Sequence, residues 1–157
     1  MTEPLVGLGF DVHAFATGRP RVRGGIGFEG EGLAGHSDGD VVCHALADAI
    51  LGAAALGDVG EHFPDTDPAF AGIGGLDLLG RVVGMVRDAG AHPVSADLTV
   101  VAERPSIAPA REEMRRALGA ALDVATERVS VKATRPEGLG LTGEGVGCLA
   151  IVLLARS

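Results

Sequence analysis

The sequence predicts an α/β (α+β) fold, formed by one domain of residues 1–157 in which the helices pack on one sheet. Three observations support this prediction. The length of 157 residues suits one domain, and 46% of the residues are apolar, which is enough to form a core. Segments with strand and helix patterns alternate along the chain, and neither a linker nor a change of composition divides it.

The first half of the chain predicts a strand, a turn-rich segment and two helices. Leu5–Phe10 is a short apolar run and predicts a strand, whereas the glycine-dense Arg19–Gly35 segment predicts a short hairpin or a loop. Asp40–Leu56 is rich in alanine and leucine and predicts a helix. Leu76–Ala89 predicts the second helix.

The expected ends of these two helices follow from capping residues. Ser37 or Asp38 is the candidate N-cap of the first helix, and Gly57 stands where a C-terminal glycine belongs. Gly90 is placed to end the second helix in the same way.

The second half predicts three strands and one helix. Asp97–Val101 predicts a strand, and Pro109–Leu122 predicts a helix with proline in its first turn. Arg128–Ala133 and Val146–Leu154 predict two more strands, which the glycine-rich Gly138–Gly147 segment separates. The order of the strands in the sheet does not follow from these patterns.

Charge and composition exclude several classes of function. The net charge of −8 argues against general binding to nucleic acid or to a membrane surface. No apolar run approaches the ~20 residues of a membrane span, and the N-terminus lacks the pattern of a signal peptide. Cys43 and Cys148 lie in apolar surroundings, which predicts buried, reduced thiols in a cytoplasmic protein.

Two histidines and a carboxylate are candidate metal ligands. His13 lies two residues after Asp11, so both side chains leave the same face of an extended segment. His44 lies inside the first predicted helix, where a lone histidine is more often a hydrogen-bonded core residue than a ligand. Asp48, one turn later, either orients the second nitrogen of His44 or is a solvated helix carboxylate. One carboxylate, two imidazoles and an open position form the ligand set of a catalytic zinc site.

Two further segments allow two interpretations each. His36–Asp40 opens the first helix, where free N–H groups and the helix dipole favour a phosphate, but ordinary capping explains its polar residues equally. The carboxylates of Gly57–Pro68 could bind sugar or polyol hydroxyls, but Asp-Pro and Pro-Asp pairs also form turns.

Together these motifs are far more specific than any of them alone. They are Gly9-Phe10-Asp11-Val12-His13, then His36-Ser37-Asp38-Gly39-Asp40 with His44, then Gly57-Asp58-Val59-Gly60, and then Phe63-Pro64-Asp65-Thr66-Asp67-Pro68. The chain closely resembles the 2-C-methyl-D-erythritol 2,4-cyclodiphosphate synthase family of the non-mevalonate isoprenoid pathway. The resemblance extends from Gly7 to Leu154 and is strongest in the first 70 residues.

The resemblance implies a ferredoxin-like subunit, with helices on one face of a mixed sheet, that forms a homotrimer with active sites between neighbouring subunits. It implies a phosphorus–oxygen lyase that converts 4-diphosphocytidyl-2-C-methyl-D-erythritol 2-phosphate into the cyclic diphosphate and CMP. The implied cofactors are one Zn²⁺ per subunit and Mg²⁺ or Mn²⁺ bridging the substrate diphosphate.

The family pattern also assigns residues. It makes Asp11, His13 and His44 the zinc ligands, and His36 and Arg135 catalytic. Glu137 falls where the family has a carboxylate that helps to hold the second divalent ion. The implied substrate-binding residues on the methylerythritol and phosphate side are Asp11, His13, His36, Ser37, Asp58, Gly60, Phe63, Pro64, Asp65, Thr66 and Asp67. Those on the cytidine side are Ala102, Pro105, Ile107, Ala108, Ala133, Thr134, Arg135, Glu137 and Leu141.

Three positions depart from the family pattern. Arg135 stands where the family has a threonine that stabilises the transition state; it either reaches the diphosphate and compensates for that threonine, or faces solvent or a carboxylate. Ser106 replaces a common lysine beside the nucleotide. The Leu141–Glu144 segment, where the family has an aromatic residue and an arginine near the trimer axis, brings an acidic group, so we expect no isoprenoid diphosphate there.

Two other functions use the same ligands. A zinc-dependent phosphoester hydrolase would use a metal-bound hydroxide and release linear phosphates. A non-catalytic, metal-stabilised trimeric binding module would need a closed site with four protein ligands. The motifs offer three ligands, which favours an open catalytic position. An internal phosphate nucleophile, which is ionised at neutral pH, also explains why the motifs contain no nucleophile–base pair.

Overall fold

The computed structural model describes residues 2–140 and 144–157. The strands are β1 (Pro4–Ala16), β2 (Val22–Arg23), β3 (Ile26–Gly27), β4 (Gly32–Leu33), β5 (Ala91–Val101), β6 (Val129–Thr134) and β7 (Gly145–Arg156). The α-helices are α1 (Val41–Ala53), α2 (Val59–His62), α3 (Gly75–Asp88) and α4 (Arg111–Leu122). Short 3₁₀ turns occupy Pro68–Phe70, Ala108–Ala110 and Thr126–Arg128.

Five strands form a mixed sheet in the order β4-β1-β7-β5-β6. The β1–β7 and β5–β7 pairs are antiparallel, and β5–β6 is parallel. Asp11 lies opposite Cys148 in the β1–β7 register. The β2–β3 pair is a separate hairpin, as the glycine-dense segment predicts. The predicted α/β fold with helices on a sheet is therefore confirmed.

One face of the sheet carries the helices, and glycines in β1 allow α1 to approach very closely. A Cβ atom on Gly9 would lie 1.9 Å from the carbonyl oxygen of Ala45, so only glycine fits there. Gly7 faces the next turn of α1 in the same way. This contact sets β1 directly against the helix that carries His44.

The opposite face of the sheet is apolar and exposed. Its side chains, here called the open apolar face, are Val6, Leu8, Phe10, Val12, Leu149 and Ile151. Leu8 pairs with Ile151 and Phe10 with Leu149 across the β1–β7 ladder. Val6 is 69% exposed and Leu8 66%, so this surface is uncovered in the single chain.

Three strands are longer than predicted, β1 and β5 by the most. β1 continues through Asp11 and His13 to Ala16, because its backbone pairs with β7 and β4 although two residues on its helix-facing side are polar. β5 begins at Ala91, six residues before the predicted start, because a bulge between Pro93 and Ser95 accommodates the proline within the ladder.

The predicted caps of α1 are wrong, and that of α3 is confirmed. Asp40 caps α1: its carboxylate accepts the N–H groups of Val42 and Cys43. The helix ends before Gly57, because Ala55 takes the left-handed conformation with φ of 56°. Gly90, with φ of 82°, follows the end of α3.

Both cysteines are buried and free, and burial raises the pKa of each thiol. Within the described part of the chain, no helix is long and apolar enough to cross a membrane.

Candidate metal and substrate site

Asp11, His13 and His44 meet at the junction of β1 and α1. Each offers one ligand atom, and these atoms lie within 4.8 Å of one another. Nε2 of His13 is 2.6 Å from Oδ2 of Asp11. Nδ1 of His44 is 3.4 Å from the same carboxylate oxygen and 3.4 Å from Nε2 of His13. The sequence predicted that Asp11 and His13 share a face, and the packing of α1 on β1 adds His44.

Hydrogen bonds to the outer ring nitrogens fix the direction of both imidazoles. Nδ1 of His13 is 2.5 Å from the carbonyl oxygen of Ala34, which can only accept, so Nδ1 carries the proton and Nε2 faces the cluster. Nε2 of His44 is 3.0 Å from the hydroxyl of Ser37, which leaves Nδ1 for the cluster. Two imidazole nitrogens and a carboxylate oxygen directed at one point are a donor set that suits zinc.

The prediction that Asp48 orients His44 is wrong. Ser37 takes that place, because the loop before α1 folds its hydroxyl over the ring. Asp48 instead accepts the N–H of Val59 at 2.8 Å and so ties α1 to the start of α2. Burial raises the pKa of Asp48, which indicates a carboxylate turned toward the protein.

The cluster keeps its carboxylate ionised. Burial opposes the charge of Asp11, but hydrogen bonds from His13 and His44 together outweigh it and lower the pKa of this carboxyl. The hydrogen bond to Asp11 raises the pKa of His13 against the opposing effect of burial. A proton on Nε2 of His13 competes with a metal ion, so metal affinity falls as the pH decreases.

A cavity of about 520 Å³ adjoins the three ligands. Its lining includes five of the residues predicted to bind the methylerythritol part of the substrate: Asp58, Gly60, Phe63, Pro64 and Asp65. Asp58 also caps α2 by accepting the N–H of Glu61 at 2.9 Å.

A second cavity, of about 230 Å³, shares His13, His44 and Phe63 with the first and adds His36 and Ser37. The remaining two residues of this predicted set lie outside both cavities, Thr66 on the surface and Asp67 at a turn. Asp67 caps the Pro68–Phe70 turn by accepting the N–H of Ala69. Its carbonyl oxygen is 3.1 Å from Nε2 of His36.

The loop that carries His36 and Ser37 is bonded to the segment before α3. The carbonyl of His36 accepts the N–H of Gly72 at 2.9 Å. The carboxylate of Asp38 accepts the N–H of Gly75 at 2.8 Å. Ser37 is buried, and its hydroxyl also accepts the N–H of Gly39.

The residues predicted for the cytidine side lie together, away from the metal cluster. A cavity of about 140 Å³ is lined by Ala102, Pro105, Ile107, Ala108, Ala133, Thr134 and Arg135, and also by Val100, Glu103, Ser106 and Arg111. Two hydrogen bonds join its walls: the N–H of Ala102 donates to Thr134, and the N–H of Gly138 donates to the carboxylate of Glu103. The cavity shares no lining residue with the two cavities at the metal cluster.

Two other positions that the sequence singled out, Glu137 and Glu144, lie outside these cavities. Glu137 is exposed. Leu141 falls outside the described residues. Glu144, exposed, has its carboxylate 3.8 Å from the guanidinium of Arg104.

The chain was compared with known proteins. The model of the YgbB family matches residues 5–155. A 2-C-methyl-D-erythritol 2,4-cyclodiphosphate synthase from Symbiobacterium thermophilum is 54% identical over 96% of this chain and 98% of its own length.

Solved structures of related proteins have the same fold over nearly the whole of this chain. The bifunctional IspDF from Campylobacter jejuni has a TM-score of 0.94 and 40% identity; the match covers 100% of this chain and 43% of that one. A 2C-methyl-D-erythritol-2,4-cyclodiphosphate synthase in a CDP-bound form has a TM-score of 0.87 and 35% identity, and the match covers 95% of this chain and 99% of that one. With its fold and nearly its whole length matched, this chain belongs to the YgbB family, that of the 2-C-methyl-D-erythritol 2,4-cyclodiphosphate synthases.

Proposed function

We propose that this chain converts 4-diphosphocytidyl-2-C-methyl-D-erythritol 2-phosphate into 2-C-methyl-D-erythritol 2,4-cyclodiphosphate and CMP. An oxygen of the substrate's 2-phosphate forms a bond to the β-phosphorus. The bond from that phosphorus to the oxygen bridging to the α-phosphate breaks, and CMP leaves with its electron pair. The observation that carries this proposal is the Asp11–His13–His44 cluster beside the cavity of Asp58 and Gly60, in a chain of this family.

The cluster residues Asp11, His13 and His44 would hold one zinc ion. Bound zinc would supply a Lewis acid for the phosphoryl transfer. His36 and Ser37 border the same space and are assigned to the phosphates, whereas Asp58 and Gly60 are assigned to the hydroxyl groups of the methylerythritol part. No strong protein base is needed, because the attacking phosphate is already ionised at neutral pH.

The remaining contacts belong to the cytidine side. The walls formed by Ala102–Ala108 and by Ala133 to Arg135 are assigned to the base and ribose, and Arg135 to the diphosphate. Glu137 and the substrate diphosphate would hold Mg²⁺ or Mn²⁺, which neutralises the repulsion between the phosphates. Leu141 keeps its assignment to this side from the family pattern alone.

We also propose that a ferredoxin-like subunit of this kind works as a homotrimer with active sites between neighbours. The open apolar face supports this assembly, because contiguous exposed apolar side chains on a sheet mark an interaction surface. The separation of the metal cavities from the cytidine-side cavity supports it as well, since one chain holds two half-sites that share no lining residue. The enzyme class is then a phosphorus–oxygen lyase, and its expected location is the cytoplasm.

The test is phosphorus NMR of the purified protein with the diphosphocytidyl substrate, zinc and magnesium. We expect signals of a cyclic diphosphate and of CMP in equal amounts. Linear phosphates would identify a zinc-dependent hydrolase instead. A protein that binds zinc and substrate without turnover would be a metal-stabilised binding module.

A further inference from the structure

The cytidine-side cavity contains two guanidinium groups. Arg111 and Arg135 line it, together with one carboxylate, that of Glu103. We propose that Arg111 acts with Arg135 as an anion-binding pair that holds a phosphate of the nucleotide moiety. This inference rests on the proposed function and identifies a binding residue, Arg111, that the motifs did not indicate.

Neither arginine is committed elsewhere. Within residues 2–140 and 144–157, the side chains of Arg111 and Arg135 form no salt bridge and no hydrogen bond. Arg115, on the same helix as Arg111, differs in this respect: it donates to Glu112 and to the carbonyl oxygens of Thr126 and Val129. Glu103, whose carboxylate also accepts the N–H of Gly138, balances only one of the two positive charges. The cavity therefore keeps a surplus of positive charge in a chain whose net charge is −8.

Other cations that could meet the substrate phosphates are scarce. Lys132, the single lysine, has its ammonium 2.5 Å from the carboxylate of Asp97. The two cavities beside the metal cluster are lined by no lysine or arginine of the described residues. Ser106, in the cytidine-side cavity itself, carries no charge. In this cavity, the positively charged side chains available to a bound nucleotide are therefore those of Arg111 and Arg135.

The two arginines reach the cavity from different elements. Arg111 is the first residue of α4, whose Met114 and Leu118 are fully buried, so the backbone of Arg111 has a fixed position. Arg135 follows the last residue of β6 and lines the same cavity. Guanidinium groups of two residues that line one cavity can both donate charge-assisted hydrogen bonds to the same phosphate group.

The test is isothermal titration of cytidine, CMP and CDP into the wild-type protein and three variants. Arg111→Ala removes the cation and Arg111→Lys retains the charge without the planar fork. Arg116→Ala is the matched control, since Arg116 is exposed on the same helix and lines none of the cavities described. We expect Arg111→Ala to raise the Kd for CDP at least about tenfold, consistent with loss of a charge-assisted hydrogen bond. Arg111→Lys should give an intermediate loss, and Arg116→Ala none.

Cytidine carries no phosphate, so its affinity shows whether a substitution changes phosphate binding or the shape of the cavity. If Arg111 binds phosphate, the affinity for cytidine stays within twofold in Arg111→Ala while that for CMP or CDP falls. An equal loss for cytidine, or an unchanged affinity for CDP, would overturn the inference and leave the proposed function standing. Failure of the wild-type protein to bind any of the three ligands would instead contradict the nucleotide half of the proposed function.

Discussion

The proposed site has two parts that are held differently: a metal half around Asp11, His13 and His44, and a cytidine half around Arg111 and Arg135. In the metal half, the rings of His13 and His44 and the carboxylate of Asp48 each have a hydrogen-bond partner inside the chain. In the cytidine half, Arg111 and Arg135 project from exposed positions and have no such partner within the described residues. The polar side chains of the first half are therefore held by contacts within the chain, whereas the two arginines of the second are free to contact a ligand.

This difference follows from where each half lies in the fold. The metal half is at the contact of β1 with α1, where Gly9 brings the backbones together and the helix is buried. The cytidine half lies beyond the ends of β5 and β6, at the edge of the sheet. Residues supported by a packed core hold a fixed geometry, which catalysis at a phosphorus atom requires.

The largest expected effect comes from removing a ligand of the metal half. His44→Ala should abolish stoichiometric zinc binding and lower turnover at least about a thousandfold, because a Lewis acid contributes several kcal/mol to such a transition state. Zinc content by atomic absorption and turnover by phosphorus NMR measure the two effects.

His92→Ala is the control for that variant. His92 is exposed on β5, away from the cluster, so its loss should leave zinc and turnover unchanged. Stoichiometric zinc in a folded His44→Ala protein would contradict the ligand assignment.

Mixing two inactive chains tests whether the halves come from different subunits. His44→Ala damages the metal half, and Glu137→Ala damages the cytidine half. If trimers assort at random, about a quarter of the sites combine two intact halves, and turnover should recover to about that fraction of the wild-type rate. Mixed trimers, verified by native mass spectrometry, that remain as inactive as their parents would show that each site lies within one chain.

Substitution of Arg135 tests whether the cytidine half contributes to the chemical step. If Arg135 donates a charge-assisted hydrogen bond to the transition state, Arg135→Ala loses roughly 2–4 kcal/mol, or about a hundredfold in turnover. An arginine that faces solvent contributes at most about 1 kcal/mol and hardly affects the rate. Steady-state kinetics of Arg135→Ala and Arg135→Thr distinguish these cases, and recovery by threonine alone would assign the role to a hydroxyl.

The two halves also differ in what the sequence predicts. Asp11 and His13 were placed on one face by strand spacing alone. The third candidate ligand, His44, was assigned by the family resemblance and not by spacing, because its position depends on the fit of Gly9 against Ala45, which leaves no periodic signal. In the same way, Ser37 replaced Asp48 as the partner of His44, because a loop conformation and not a helical repeat decides which side chain reaches the ring.

Elements with strong local signals were predicted well, and context-dependent ones were not. The helix ended by Gly90 and the strand that became β6 lie close to their expected bounds. α2 was missed because four residues carry no helical period. The early part of β5 was missed because Pro93 indicates a break unless a bulge accommodates it.

The smallest expected effect concerns Asp48, which links the two parts of the metal half. Its carboxylate accepts the N–H of Val59 and so holds the turn of Asp58 and Gly60 at a fixed distance from α1. Asp48→Ala leaves this N–H without its acceptor, at a cost of about 1–2 kcal/mol, and should raise KM for the substrate about tenfold. Asp48→Asn keeps an acceptor oxygen and should recover most of this loss.

The controls for Asp48 separate positioning from general stability. Asp77→Ala removes an exposed carboxylate that pairs with Arg81 on α3, and it should change neither KM nor kcat. The affinity for CDP, measured by titration, should stay constant in Asp48→Ala because the cytidine half shares no lining residue with this cavity. If Asp48→Ala weakened CDP binding as much as substrate binding, or if Asp48→Asn were no better than alanine, the carboxylate would stabilise the fold as a whole, and the two halves would not be independent.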